Sequence, residues 1–458
     1  MKKKLENRKN NKSIIVSTLI FVITFIAMAG YLIYFNLTQA ESIINNSYNK
    51  RQGVLSRRTI RGSILSDDKT KLAVTNVDGD GNETRYYPYS GLFSHTIGYL
   101  NNGGYGLESL YGYYMLHSNQ NFFEQIGNDL SGNRNTGDNV VTTLNVGLQK
   151  ACYDALGSNR GAVIVMEPST GKILAMVSKP DFDPNTLAAN WSQITGEGSD
   201  SVLVNRATQG LYPPGSTFKL ITMLEYLREH KNDYGQYHYI CDGTYELGNN
   251  TINCVRTTAH GDVDLFSSLA VSCNCSFINI GLSLDLDRYK KTAEKMLFNK
   301  ELPTNLEYNK SRFVLNGESS EWDIAQTSFG QGKTVITPFH LALITCTIAN
   351  NGTLMEPYLV SSVESTNGMT VKKFKEEKYD TLITEKEASL LKKGMEQVVK
   401  DSFSWLFGGV EYTLAAKSGS AQYGTEGYEH SLYASFSPAD NPEIAVVAVV
   451  EGGPQEKN

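Results

Sequence analysis

The stretch "GAVIVMEPSTGKILAMVS", residues 161–178, contains two apolar runs separated by a turn. Residues 161–167 and 172–178 consist largely of apolar side chains, which is typical of strands that are buried in a sheet. The four residues Pro168, Ser169, Thr170 and Gly171 between them are those that favour turns. The stretch therefore predicts an antiparallel hairpin inside a folded domain.

Three further strands are predicted near the other end of the chain. They are "YTLAAKSGSAQYG" (412–424), "HSLYASFS" (430–437) and "EIAVVAVVE" (443–451), joined by short segments that contain Gly or Pro. Helical patterns occupy the sequence between the early and the late strands. We therefore expect an α+β fold, in which both ends of the domain build one antiparallel sheet and helices cover its two faces.

Length and composition limit the possible functions. The chain has 458 residues, too many for one ordinary domain. Its net charge of −6 argues against a nucleic-acid partner, because proteins that bind nucleic acids usually carry a basic patch. Six cysteines do not form a dense disulfide framework, and the seven histidines show no H-E-x-x-H spacing. We therefore expect no metal site and no cofactor.

The N-terminus predicts a membrane anchor. Residues 14–35, "IIVSTLIFVITFIAMAGYLIYF", form 22 residues without a charge, which is long enough to cross about 30 Å of hydrocarbon. Residues 1–13 carry six basic residues and one acidic residue. The positive-inside rule places this tail in the cytoplasm and the rest of a single-pass protein outside. A cleaved signal peptide is the alternative, but its apolar core is usually shorter.

The segment after the anchor predicts a small extracytoplasmic stalk, residues 36–140. Residues 36–52 are polar and compatible with a continued helix. Residues 53–140 are rich in Gly, Asn, Tyr and Ser and contain short strand-like runs. The turn formers at 78–81, Asp-Gly-Asp-Gly, predict a hairpin. We expect the main domain to follow at 141–458.

A serine and a lysine stand three positions apart in "YPPGSTFKLIT", residues 212–222. Two prolines and Gly215 predict a tight turn, with a helix beginning at Ser216. Positions i and i+3 of a helix share a face, so Lys219 can reach the hydroxyl of Ser216. An N-cap serine followed by an amphipathic turn is the simpler interpretation, and this motif alone does not exclude it.

Two later motifs favour catalysis. "SCN" places Ser272 two positions before Asn274, and "KSG" comprises Lys417, Ser418 and Gly419 on a predicted strand. The order S-x-x-K, S-x-N, K-[ST]-G is the signature of penicillin-binding proteins and serine β-lactamases.

Longer stretches also resemble the penicillin-binding transpeptidases. Those at 161–185, 205–219, 329–343 and 414–422 are similar to that family, and the likeness covers about residues 137–450. Upstream, "RGSIL" and "GYGLESLYGYY" resemble the N-terminal module of class B, monofunctional members, most of all the penicillin-binding protein A group. The chain departs from the usual pattern at 66–70, where "SDDKT" replaces an Asp-Arg-Asn-Gly turn.

The resemblance implies a peptidoglycan D,D-transpeptidase with Ser216 as nucleophile. Such enzymes accept a stem peptide that ends in D-Ala-D-Ala, release D-Ala and pass the acyl group to an amine, and β-lactam antibiotics acylate the same serine. Lys219 can act as base only when it is neutral, so its pKa must fall from about 10.4 towards neutrality. Burial and the charge of Lys417 act in that direction. Ser272 is expected to relay a proton, and Asn274 to hold Lys219 and the substrate.

The third motif is expected to bind the terminal carboxylate of the substrate. Lys417 supplies positive charge and Ser418 and Ser420 supply hydroxyl donors. Strand alternation places Lys417 on the face opposite the two serines. In the family the strand lines the cleft with its edge, so that side chains from both of its faces can contribute to the site. The N–H groups of Ser216 and Ser420 are expected to form the oxyanion hole, while a side chain at Gly419 would crowd the substrate.

Several other interpretations are less well supported. "GQGKT" at 330–334 is similar to a phosphate loop, but Thr327 replaces its first glycine. His260 lacks the G-x-S-x-G context of a hydrolase triad, and we expect it to be structural, with Cys273 a small buried residue. A β-lactamase would need an added Glu motif, which we do not find. A β-lactam sensor would need several membrane spans or a cytoplasmic signalling domain, and an inactive scaffold would be expected to lose a motif.

Two expectations concern partners and cysteines. Cross-linking needs fresh glycan strands and we see no glycosyltransferase region, so the resemblance implies a membrane glycan polymerase of the shape, elongation, division and sporulation family. Ala27, Ala29 and Gly30 form a small-residue patch that permits close helix packing or simply faces lipid. Cys241 and Cys254 flank a predicted hairpin and are expected to form a disulfide, with buried thiols as the alternative.

Overall fold

The computed structural model describes residues 2–38, 59–196, 198–424 and 428–452. Short 3-10 turns lie at Ser90–Phe93, Gly215–Phe218, Tyr234–Gln236 and Val255–Thr257. The α-helices of the described residues are α1 Lys2–Thr38, α2 Ser94–Ile97, α3 Gly106–Leu110, α4 Gly112–Met115, α5 Phe122–Ser131, α6 Val146–Leu156, α7 Leu187–Thr195, α8 Lys219–Glu229, α9 Leu265–Ala270, α10 Asn274–Ser283, α11 Leu286–Lys295, α12 Glu321–Ser328, α13 Pro338–Ala349, α14 Glu385–Ser402 and α15 Ser404–Phe407.

In the part of the chain that the structure describes, the strands form one five-stranded sheet, one six-stranded sheet and several two-stranded ladders. In chain order they are β1 Thr59–Ile60, β2 Ile64–Leu65, β3 Lys71–Val77, β4 Glu83–Tyr86, β5 Asn135–Thr136, β6 Asn139–Thr142, β7 Gly161–Met166, β8 Ile173–Lys179, β9 His238–Cys241, β10 Thr244–Leu247, β11 Asn250–Asn253, β12 Gly261–Asp264, β13 Thr353–Met355, β14 Val360–Glu364, β15 Thr370–Lys373, β16 Lys378–Thr381, β17 Ala415–Gln422, β18 Glu429–Ser437 and β19 Ile444–Val450.

Helix α1 contains the predicted anchor. Its segment Ile14–Phe35 has 22 residues, a mean hydropathy of 2.3 and none of its side chains buried, so its length and composition suit a membrane span. The helix continues to Thr38, in line with the expected polar extension at 36–52. The remainder of that extension lies outside the described residues.

The five-stranded sheet confirms the sequence-based fold class. Its order is β17-β18-β19-β7-β8, and every neighbouring pair is antiparallel. Both ends of the domain therefore build the sheet, with β17 at one edge. Alternate residues of β7 face opposite sides: Ile164 packs in the main core, whereas Val163 and Val165 pack with Leu156 of α6. Helices consequently cover both faces.

The N-terminal module is a six-stranded sheet of order β15-β14-β6-β2-β3-β4. The predicted hairpin is present, since β3 and β4 pair antiparallel and the N–H of Gly81 donates to Asp78 O at 3.0 Å. Strands β14 and β15 come from far down the chain, so this sheet crosses the boundary expected at residue 140. Beside it, Arg61 Nε and Arg85 Nε contact the carboxylate of buried Glu108 at 2.8 and 2.7 Å.

Candidate active site

Ser216 lies in a 3-10 turn, Gly215–Phe218, immediately before helix α8. The helix expected to begin at Ser216 is thus present, beginning one residue earlier with a 3-10 first turn. The reason is close packing: Gly215 has φ +55° and donates its N–H to Gly330 O at 2.8 Å, and a Cβ on it would lie 2.7 Å from Ser420 O. In a 3-10 turn residues i and i+3 are eclipsed, so half-buried Ser216 still shares a face with Lys219.

Lys219 is fully buried at the first position of α8. Its Nζ donates to Ser272 O at 2.7 Å, to Asn274 Oδ1 at 2.8 Å and to Ser272 Oγ at 3.2 Å. Burial lowers the pKa of Lys219 to about 7, since the charged form loses its hydration. The lysine can therefore be neutral near neutral pH, as general-base catalysis requires.

Ser272 lies in the short loop between α9 and α10 with φ +53°. Its hydroxyl oxygen is 3.2 Å from Lys219 Nζ and 3.0 Å from Lys417 Nζ, so it connects the two lysines. Asn274 begins α10, and its Nδ2 donates to Asn253 O at 3.0 Å. That hydrogen bond turns the amide oxygen of Asn274 towards Lys219.

Lys417 is buried to 1 % exposure on edge strand β17. Burial and then the charge of Lys219 hold the pKa of Lys417 well below its ordinary value. Its Nζ also donates to the backbone oxygen of Ser418 at 3.0 Å. Ser418 is half-buried and Ser420 exposed, so alternation along the strand places Lys417 inside and both serines outside, at the edge of the sheet.

Gly419 faces the turn that carries Ser216. A Cβ on Gly419 would lie 3.0 Å from Pro214 O, 3.1 Å from Ser216 N and 3.2 Å from Thr217 N. The first atoms that a side chain would crowd are therefore backbone atoms of the protein. The sequence predicted a steric role for this glycine but named the substrate as the group that would be crowded.

The structure brings Cys241 and Cys254 together without a bond. The hairpin between them is present as β10 and β11, and the two Sγ atoms are 3.8 Å apart with both thiols free. The expected disulfide is thus not formed. Cys273 is fully buried, as expected.

The sequence analysis did not identify two residues that position the site. The backbone oxygen of Asn253 holds Asn274, and the backbone oxygen of Gly330 holds the turn that contains Ser216. The one signal in the sequence was the family-like stretch that contains Gly330.

Comparisons with known proteins agree on one family. Residues 161–458 match the penicillin binding protein transpeptidase domain, and residues 61–140 match the penicillin binding protein A dimerisation domain. The peptidoglycan D,D-transpeptidase PbpA of Mycolicibacterium smegmatis is 30% identical over 423 residues, which cover 86% of this chain and 84% of the relative.

Two solved structures share the fold. The imipenem acyl-enzyme complex of penicillin-binding protein A from M. tuberculosis has a TM-score of 0.79 and 29% identity, over 86% of this chain and 95% of that one. The D,D-transpeptidase domain of a peptidoglycan glycosyltransferase from Eggerthella lenta has a TM-score of 0.78 and 29% identity, over 87% and 95% of the two chains.

Proposed function

This chain belongs to the penicillin-binding protein transpeptidase family, and we propose that it is a membrane-anchored peptidoglycan D,D-transpeptidase that uses Ser216 as its nucleophile. The observation that carries the proposal is the meeting of two buried lysines at one hydroxyl. Lys219 and Lys417 both donate to Ser272 Oγ, and Lys219 directly follows the turn that holds Ser216. Such a pair favours a neutral lysine, which is the group a serine nucleophile needs.

Acylation begins when Ser216 Oγ attacks the carbonyl carbon of the penultimate D-Ala. The proton of the hydroxyl passes to neutral Lys219, and the carbonyl oxygen becomes an oxyanion held by the N–H groups of Ser216 and Ser420. When the peptide bond breaks, the departing D-Ala nitrogen takes a proton from the hydroxyl of Ser272. Lys219, which now carries the proton from Ser216, then passes a proton to Ser272.

Substrate orientation is assigned to the edge strand. The terminal carboxylate of the stem peptide binds to the hydroxyls of Ser418 and Ser420, which lie on the outer face of β17, while Lys417 lies buried on the inner face. In the second half of the reaction an amine takes the place of D-Ala. It loses a proton to Lys219 as its nitrogen attacks the ester carbon, and Lys219 returns that proton to Ser216 Oγ as the ester bond breaks. A β-lactam acylates the same serine, but its leaving nitrogen stays attached to the product.

Labelled penicillin tests this assignment on the full-length chain in detergent. We expect a long-lived adduct on the wild type, no adduct on Ser216→Ala, and wild-type labelling of Ser192→Ala, which alters an exposed serine of α7. An adduct on Ser216→Ala would refute the nucleophile assignment. Rapid loss of the wild-type adduct would instead identify a β-lactamase.

We place the catalytic domain outside the cytoplasmic membrane, held by α1, with a glycan polymerase of the shape, elongation, division and sporulation family as partner. The basic tail at 1–13 supports this orientation, and the small residues Ala27, Ala29 and Gly30 would allow close helix packing. Pulldown from detergent should recover the polymerase with the wild type and lose it when the three residues are changed to Leu. Recovery by neither protein would exclude the partnership, and equal recovery by both would exclude the patch.

A further inference from the structure

Four side chains of types that ligate metals converge beside the second catalytic motif. Cys241 ends β9, Cys254 follows β11, His260 precedes β12, and Cys273 is the middle residue of the motif. Each offers one ligand atom, and all four atoms lie within 4.8 Å of one another. The three thiols are buried and His260 is half-buried. The catalytic reaction described above uses none of these groups.

The spacing of the atoms fits a tetrahedral zinc ion. With Zn–S near 2.3 Å and Zn–N near 2.0 Å, two sulfur ligands lie about 3.8 Å apart, and a sulfur and a nitrogen about 3.5 Å apart. In the structure Cys254 Sγ is 3.8 Å from both Cys241 Sγ and Cys273 Sγ. Cys241 Sγ is 3.5 Å from His260 Nδ1. Three edges of the tetrahedron therefore have the lengths that zinc would impose.

The surroundings of Cys273 also suit a metal-bound thiolate. Cys273 is the N-cap of α10, and its Sγ accepts a hydrogen bond from the N–H of Ser276 at 3.3 Å. The positive end of a helix dipole and a backbone donor both stabilise negative sulfur. A bond of this kind orients the thiolate towards the other three ligands, as outer hydrogen bonds do at metal sites.

The two simpler explanations account for less of the geometry. A disulfide between Cys241 and Cys254 would use only two of the four groups and would leave the approach of Cys273 and His260 unexplained. A set of buried thiols would not need an imidazole nitrogen at ligand distance. Cys275 also lies 3.4 Å from Cys254 Sγ, but it is not part of the group in which all four ligand atoms are close to one another.

We propose that Cys241, Cys254, His260 and Cys273 bind a structural zinc ion that joins residues 238–264 to the second catalytic motif. On binding, three S–H bonds release their protons to solvent as three S–Zn bonds form, and the imidazole nitrogen completes the tetrahedron. This proposal replaces the expectation of no metal, which considered only histidine spacing. The ligands are separated by 12, 5 and 12 residues, a pattern unlike the short pairs of zinc fingers.

The site has a consequence for catalysis, which rests on the proposed function. Cys273 lies between Ser272 and Asn274, so a metal bond at its sulfur fixes the backbone on both sides. Asn274 is further held by the oxygen of Asn253, the residue before Cys254. The ion is thus a positioning element that keeps Ser272 and Asn274 in reach of Lys219 without touching the substrate.

Metal analysis of the full-length chain tests the site directly. The protein is purified with a thiol reductant and added zinc, and loosely bound metal is removed by gel filtration. We expect one zinc ion per chain in the wild type, and loss of that zinc in Cys254→Ser and in His260→Asn. Substituted Co²⁺ should give the intense visible absorption of a tetrahedral site and sulfur-to-cobalt charge-transfer bands. A wild type without zinc, or with a Cys241–Cys254 disulfide in peptide maps of the freshly purified chain, overturns the proposal.

Control variants test whether zinc binding depends on these four residues alone and whether it is independent of the nucleophile. Cys152→Ser and Cys346→Ser remove buried thiols from other helices and should keep the zinc, as should Cys275→Ser. Zinc loss in Cys275→Ser would overturn the ligand set. Ser216→Ala should bind zinc fully while failing to label, so that an error in the nucleophile cannot be mistaken for an error in the metal. Removal of zinc by a chelator should slow penicillin labelling of the wild type, and readdition should restore it.

Discussion

Two of the regions that bury charged side chains in this molecule do so in opposite ways. In the N-terminal module Arg61 and Arg85 share the carboxylate of Glu108, so unlike charges meet. In the catalytic domain Lys219 and Lys417 are buried together and meet at the neutral hydroxyl of Ser272. The first arrangement keeps its groups ionised and the second drives its groups towards neutrality.

The pKa directions of the two regions express this difference. Burial opposes ionisation of Glu108, yet the charges of Arg85 and Arg61 prevail and lower the pKa of that carboxylate. At Lys219 burial dominates, and the pKa falls to about 7. A buried charge that is paired with an opposite charge has a structural role. A buried ionisable group without such a partner has a shifted pKa, which is typical of catalytic residues. The comparison leads us to expect that changes in the two regions affect different measurements.

Replacing Lys219 by Arg should have the largest effect on catalysis. Arginine keeps the positive charge but does not release its proton in this pH range, so general-base catalysis is lost. We expect the rate of penicillin acylation to fall by about 10²–10⁴-fold. The exposed Lys333→Arg variant is the matched control and should label normally. Near-normal acylation by Lys219→Arg would mean that this lysine acts only through its charge.

Replacing Glu108 by Gln should affect stability and leave the chemistry of the catalytic domain intact. The change leaves two buried guanidinium groups without their counterion, which costs about 3–5 kcal/mol when a buried pair is broken. Urea unfolding monitors the loss, with Glu318→Gln, an exposed carboxylate, as control. The acylation rate of the chain that remains folded should match the wild type. A stable Glu108→Gln protein would show that the two arginines are solvated in solution.

The acylation rate should rise with pH through the neutral range. In the proposed mechanism Lys219 must be unprotonated to accept the proton of Ser216, and its pKa of about 7 then makes most molecules inactive at pH 6 and active at pH 8. This corresponds to about a tenfold increase. The carboxylate of Glu108 has a lowered pKa and stays ionised throughout, so unfolding of the N-terminal module should not follow the same curve. A flat acylation profile between these values would contradict the assignment of Lys219 as base.

Much of this architecture could be predicted from local sequence. The strands of the central sheet have short apolar runs and clear turn residues, and the Pro-Pro-Gly turn indicated where Ser216 would lie. The features that could not be predicted depend on contacts between residues that are distant in the sequence. Strand β14 joins β6 through Val363 and Val140, a pairing that no local pattern encodes. The approach of His260 to Cys241 likewise appears only when β9 and β12 pair.

The smallest predicted effect concerns the turn that holds Ser216 beside the buried lysine pair. Gly419→Ala places a Cβ about 3.0 Å from Pro214 O and 3.1 Å from Ser216 N, so the Ser216 turn must move by a few tenths of an ångström. Because small displacements of a nucleophile lower the rate steeply, we expect acylation to slow by about threefold to tenfold. Gly409→Ala, where the added carbon meets no atom within 4 Å, is the matched control.

The same variant distinguishes a positional effect from a chemical one. A displaced turn lowers the acylation rate equally at every pH, because burial is the main cause of the lowered pKa of Lys219. The pH profile of Gly419→Ala should therefore keep its midpoint while its plateau falls. A shifted midpoint would show instead that the edge strand controls the protonation of the buried lysines, and the turn and the lysine pair would then have to be treated as one unit.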